Sequence, residues 1–88
     1  MGAFAMSEIK SNVVCEFSSK HGDVLEVSNV RGVYELHLMP RGSVFSYFIM
    51  SSAHRLEVES RAKALAYGPR SDLEEAIGLS YYNAHFSP

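Results

Sequence analysis

Four histidines, one cysteine and a scatter of carboxylates are the side chains of this chain that could do chemistry. Metal binding needs ligands brought together on one element, as two histidines a helical turn apart achieve. His21, His37, His54 and His85 stand 16, 17 and 31 residues apart, so no short pairing exists. His54 and Glu57 would share a face only if residues 54–57 are helical. Cys15 could act as a nucleophile if a base or a positive charge drew off its proton. Its alternation with Val13 and Phe17 places it instead in an apolar row, where cysteine behaves as a small buried hydrophobe. Neither a Gly-x-Ser-x-Gly turn nor a glycine-rich phosphate loop occurs. The carboxylates Glu8, Glu16, Asp23, Glu26, Glu35, Glu57 and Glu59 are spread so evenly that spacing selects no acid/base pair. The expectation is a chain that is not an enzyme and that uses no metal and no cofactor.

Aromatic residues are the remaining chemical resource. Segment 41–48 reads Arg-Gly-Ser-Val-Phe-Ser-Tyr-Phe and shares Arg-Gly and the fifth and eighth aromatics with an RNA-binding octapeptide. Ser43 stands where the third-position aromatic would stack on a base, and extended segments precede any helix, so the overlap is partial. Phe45, Tyr47, Phe48 and Met50 are better placed as apolar anchors for a protein partner, with Arg41 and Tyr82 as rim contacts.

These residues must be held by a scaffold, and hydrophobic alternation supplies one. Residues 12–18 alternate as a half-buried strand, then Gly22 beside Asp23 favours a tight reversal. Residues 24–30 put Leu25 and Val27 on one side, and residues 33–39 do the same with Tyr34, Leu36 and Leu38. A reversal at Arg31-Gly32 separates them, and Pro40-Arg41-Gly42 ends the third strand. Residues 44–50 differ, because Phe45, Tyr47 and Ile49 form one apolar row while Val44, Phe48 and Met50 form another. Such a strand is covered on both faces or leaves one face for a partner.

The helical part is less sharply written. Residues 53–59 fit either strand or helix, whereas Val58, Ala62, Leu65 and Ala66 recur at helical spacing and predict a helix from about Ser60. Gly68-Pro69 should end it through a left-handed cap. Ser71-Asp72-Leu73-Glu74 reads as a capping box, and the helix it starts presents Leu73, Ala76, Ile77, Ser80, Tyr81 and Ala84 on one face. Gly78 interrupts that helix at a cost of about 1 kcal/mol relative to alanine. The fold class expected is α+β: an antiparallel meander of four strands, or five, followed by one or two C-terminal helices packed on one face.

A chain of 88 residues, 47% hydrophobic and 20% charged, has the composition of one ordinary globular domain. Met1-Gly2-Ala3-Phe4-Ala5 before a second methionine resembles a vector-derived extension, which leaves residues 6–88 as a single domain. With 8 basic against 10 acidic residues the net charge is −2, which makes nucleic acid a poor partner. One cysteine permits no internal disulfide, and no apolar run is long enough to span a bilayer, so a cytoplasmic location is expected. The function expected is a small protein-binding module, an inhibitor, adaptor or regulatory subunit that binds a protein partner or itself as a homodimer. Two alternatives follow from other features. One is a nucleic-acid binder using Arg41, Tyr47 and Phe48 with Lys20, Arg31 and Arg55 on phosphates. The other is a small enzyme or ligand carrier with His37, His54 or Glu57 in a pocket between sheet and helix.

Overall fold

Period-two alternation becomes four strands: β1 (Val13–Ser18), β2 (Val24–Val30), β3 (Val33–Met39) and β4 (Tyr47–Ser52). The computed structural model describes the backbone of residues 12–86 and the side chains of residues 12–81, so residues 1–5 and the proposed extension lie outside the described residues. The strands pair antiparallel in the order β1-β2-β3-β4, a meander in which every neighbour in sequence is a neighbour in space. Two helices follow, α1 (Arg55–Tyr67) and α2 (Arg70–Phe86), and both pack on the same sheet face. The architecture is the α+β meander with two C-terminal helices that the residue pattern predicts.

The core lies between these layers. Leu25 and Val27 from β2 and Leu36 and Leu38 from β3 are fully buried beneath Val58, Ala62, Leu65 and Ala66 of α1 and Leu73 and Ala76 of α2. Each buried leucine contributes roughly 1.5–3 kcal/mol relative to an exposed one, so this cluster is the main source of stability. On the other sheet face, Glu26, Glu35 and His37 alternate with these core residues and no described helix covers them.

Both edge strands depart from strict alternation. A register shift between Val13 and Cys15 leaves Val14 as an extra residue, so Val14, Cys15 and Phe17 pack against the core. Val13, expected in the row of Cys15, pairs with Ser28 and lies in the groove of the uncovered face. In β4 the pairing jumps from Leu36–Met50 to His37–Phe48, which makes Ile49 the extra residue. Tyr47 and Met50 therefore share the helix side, opposite Leu38 and Leu36, while Phe48 faces the other way beside His37. The expected rows, with Met50 beside Phe48, are corrected by this one bulge, since an inserted residue reverses the parity of everything beyond it.

Element ends differ from expectation for identifiable reasons. Strand β4 starts at Tyr47 rather than Val44, because the Ser43 hydroxyl accepts the Phe45 amide at 3.0 Å and donates to its carbonyl at 3.1 Å, holding a turn. Residues 55–59 are helical, five residues before the predicted start at Ser60. The His54 carbonyl accepts the Glu57 and Val58 amides, and Arg55 pairs with Glu59 one turn on. Gly68 is extended rather than left-handed; its requirement is steric, because a Cβ there would sit 2.5 Å from the Ala64 carbonyl oxygen. The predicted capping box is not used either. Helix α2 begins at Arg70, with the Pro69 carbonyl accepting the Asp72 amide at 3.0 Å, so Ser71 falls inside the first turn.

A polar knot secures one end of the sheet. Asp23 is 1% exposed, and its carboxylate accepts the Arg41 amide at 2.9 Å and the Ser19 hydroxyl at 3.0 Å. Arg70 brings its guanidinium Nε to 3.5 Å from the same carboxylate. Burial alone would raise the Asp23 pKa, but the Arg41 amide and the Ser19 hydroxyl outweigh it, helped by Arg70, and hold the carboxyl below the usual aspartate value. The β1–β2 turn, the β3–β4 loop and the start of α2 thus meet on one side chain. At the opposite end, Arg31 and Gly32 both adopt positive φ, the two-residue geometry that matches the twist of a hairpin. The Asn29 side chain closes that turn by accepting the Gly32 amide at 2.9 Å.

Candidate functional site

Among the described residues, an open and largely apolar margin is formed by β4 and the second half of α2. Strand β4 is the last in the sheet, and among the described residues no strand pairs with its outer edge. Its outward amides and carbonyls thus have no partner strand among the described residues, and such a row can template pairing with another chain. Natural edges are usually blunted by lysine, proline or inward-pointing charge. From Gly42 to Ala53 no residue carries a charge and none is proline.

Helix α2 lies over this strand and only partly covers it. Leu73 and Ala76 are buried and Ile77 half-buried, but Leu79 is 56% and Tyr81 53% exposed. Between the two elements runs a groove of about 610 Å³, floored by Tyr47, Ile49 and Met50 and walled by Ala76, Leu79 and Tyr81, with Arg61 of α1 its one charged lining residue. Phe48 contributes to the same margin from the uncovered face, 47% exposed, its ring edge-to-face with His37 at 5.6 Å. Val44 and Phe45, 86% and 70% exposed, extend the apolar surface into the loop before β4.

Of the residues expected to bind a partner, Phe45, Tyr47, Phe48 and Met50 thus lie along one edge, with Tyr47 and Met50 half-buried in the groove floor. Arg41 belongs elsewhere. Its amide is held by Asp23, and its side-chain methylenes lie against Gly22. The side chain of Tyr82 lies outside the described residues. Leu79 and Ala76 were missed as site residues because helical periodicity assigns Ala76 to the core and Leu79 to neither face, and only the overhang of α2 beyond β4 brings them together.

The titratable groups gather elsewhere. A second groove, about 520 Å³, lies on the uncovered face and carries Glu16, Glu26, Glu35 and His37 among Val13, Val30 and Met39. Glu16 stands directly opposite Glu26, Glu26 opposite His37, and His37 bonds Glu35 at 3.0 Å. Among the described residues, no three His, Cys, Asp or Glu side chains are placed to hold one metal ion. Cys15 is half-buried; burial pushes its thiol up and the Glu59 carboxylate adds to this, outweighing Arg55 and Lys63. A thiol held protonated is a weak nucleophile. His37, His54 and Glu57 do not line the β4–α2 groove.

Groups that a nucleic-acid site would need are dispersed. Tyr47 and Phe48 face opposite sides of the sheet, and the face bearing Phe48 also bears three glutamates. Lys20 and Arg31 sit in turns at opposite ends of the strands, and Arg55 is paired with Glu59. No helix among the described residues is long and apolar enough to cross a membrane. Compared with protein-family models, with curated proteins and with solved structures, the chain matches none.

Proposed function

We propose that this protein is a small non-enzymatic binding module that recognises a protein partner along the β4–α2 margin, as an inhibitor, adaptor or regulatory subunit. The observation that carries this reading is the coincidence of an uncharged strand edge, with no partner strand among the described residues, and a largely apolar groove beside it. A strand added to such an edge gains main-chain hydrogen bonds, and the neighbouring groove supplies side-chain selectivity. Phe45, Phe48, Leu79 and Tyr81 are the exposed anchors, and Tyr47 and Met50 form the floor they surround. A single cysteine and the absence of any disulfide fit a reducing, cytoplasmic setting.

Affinity capture from nuclease-treated lysate of the source cells tests the reading, with Phe48→Glu as the comparison. A polypeptide recovered near stoichiometrically by the wild type and lost with the variant supports it. Capture that survives Phe48→Glu, or capture of nothing at any bait level, overturns it. Because Phe48 is half-exposed, the variant should keep its fold, which circular dichroism checks.

A further inference from the structure

The edge of β4 is complementary to itself, and we infer that its occupant is a second copy of this chain, paired antiparallel through β4 to give a continuous eight-stranded sheet. This rests on the reading of the β4–α2 margin as a protein-binding site. Three features select a second copy. An antiparallel pair of identical edges is two-fold symmetric, so one surface satisfies both sides of the contact. The strip from Gly42 to Ala53 is uncharged, so bringing two copies together opposes no like charges along the strand.

The third feature is the overhang of α2. A two-fold axis perpendicular to the sheet places both helix layers on the same face, with each α2 next to the other across the new strand pair. Leu79, more than half exposed in one chain, then faces its counterpart over the groove. Given roughly 150–250 Å² per aromatic side chain, the exposed fractions of Phe45, Phe48 and Tyr81 leave on the order of 300 Å² to bury. Val44, Leu79 and the main-chain edge add to that, moving towards the roughly 800 Å² per partner typical of stable complexes. The opposite edge offers no equivalent: β1 carries Glu16 and lies beside Lys20, and its Phe17 is already covered by Tyr67 and Lys63.

Sedimentation equilibrium of the intact chain, with hydrogen exchange read strand by strand, tests this. A mass rising with concentration to twice the 9.8 kDa of one chain is expected, together with concentration-dependent protection of β4 amides and none in β1. Phe48→Lys and Leu79→Lys, both at exposed positions, should each weaken association by ~10-fold or more while leaving the far-ultraviolet spectrum unchanged. A single-chain mass at all concentrations overturns the inference, as does growth beyond two copies or a dimer whose β4 exchange is insensitive to concentration. The two proposals fail separately. A monomer whose lysate partner is lost on Phe48→Glu would remove the second copy and leave the binding site standing.

Discussion

The two edge strands carry the same device and end in opposite states. Each accommodates one extra residue, Val14 in β1 and Ile49 in β4, and each turns additional apolar side chains toward the helices. Over β1 the helix layer closes. Tyr67 meets the Phe17 ring edge-to-face at 6.4 Å, Lys63 sits 5.8 Å from its centre, and Arg55 and Glu59 flank Cys15. Over β4 the layer stays open, because α2 spends Leu73 and Ala76 on the core and carries Leu79 and Tyr81 past the strand. A bulge by itself thus does not protect an edge. What differs is which helix residues meet the edge: Tyr67 and Lys63 of α1 lie on the Phe17 ring, whereas Leu79 of α2 lines an open groove beside β4, although α1 also exposes Leu56 and much of Tyr67 to water.

The contrast is broken most strongly from the closed side. Leu65 of α1 is fully buried within the cluster built on Leu25, Val27, Leu36 and Leu38. Leu65→Ala should cost about 2–5 kcal/mol, read as a fall in the urea midpoint at unchanged slope. A loss below 1 kcal/mol, on the order of what a surface change costs, would mean the closed side is as loosely held as the open one.

Asp23 comes next. Asp23→Asn removes the charge that the Arg41 amide, the Ser19 hydroxyl and Arg70 surround, at an expected cost of ~2 kcal/mol near pH 7. The pH dependence has a defined sign. Because the folded-state pKa lies below the unfolded one, the contribution is complete above the unfolded value of about 3.9 and is lost as pH falls through the folded value. The stability of the wild type should therefore drop toward that of Asp23→Asn on acidification, and thermal melts between neutral and acid pH should show the two converging. Parallel curves would show that Asp23 is not the titrating tie.

How much of this was legible in the residues follows from what alternation can encode. Leu25, Val27, Leu36 and Leu38 were readable as one face because the central strands β2 and β3 keep an unbroken register from Val24–Met39 to Val30–Val33. The edge strands were misread at Val13 and Met50, since a bulge leaves no mark in a run of apolar residues. Asp23 looked like a turn residue because its partners Arg41 and Arg70 are remote in sequence. The exposed apolar side chains in and before β4 were legible from their double apolar rows. Their grouping with Leu79 and Tyr81 was not, because it depends on where α2 lies across the sheet.

Gly78 sharpens the comparison in the stabilising direction. A Cβ built there meets no atom within 4 Å, so close packing does not demand glycine and only its helix penalty remains. Gly78→Ala should raise stability by ~0.5–1 kcal/mol, seen as a higher midpoint in thermal unfolding. The gain would place the weak point of α2 immediately before Leu79 and Tyr81, where the helix leaves the core. No gain would mean that this part of the helix adds nothing to the cooperative unit.

The smallest expected effect separates folding from association. Leu79→Ala removes a side chain that is 56% exposed, so in dilute solution its unfolding free energy should stay within about 0.5 kcal/mol of wild type. Association adds a term that depends on concentration, because a partner that binds only the folded chain raises its apparent stability by mass action. The wild-type melting temperature should then climb with protein concentration, and the climb should flatten in Leu79→Ala although the two proteins melt together when dilute. A variant that is equally destabilised at every concentration would instead make Leu79 part of the fold and close the β4 margin that sets the two edges apart.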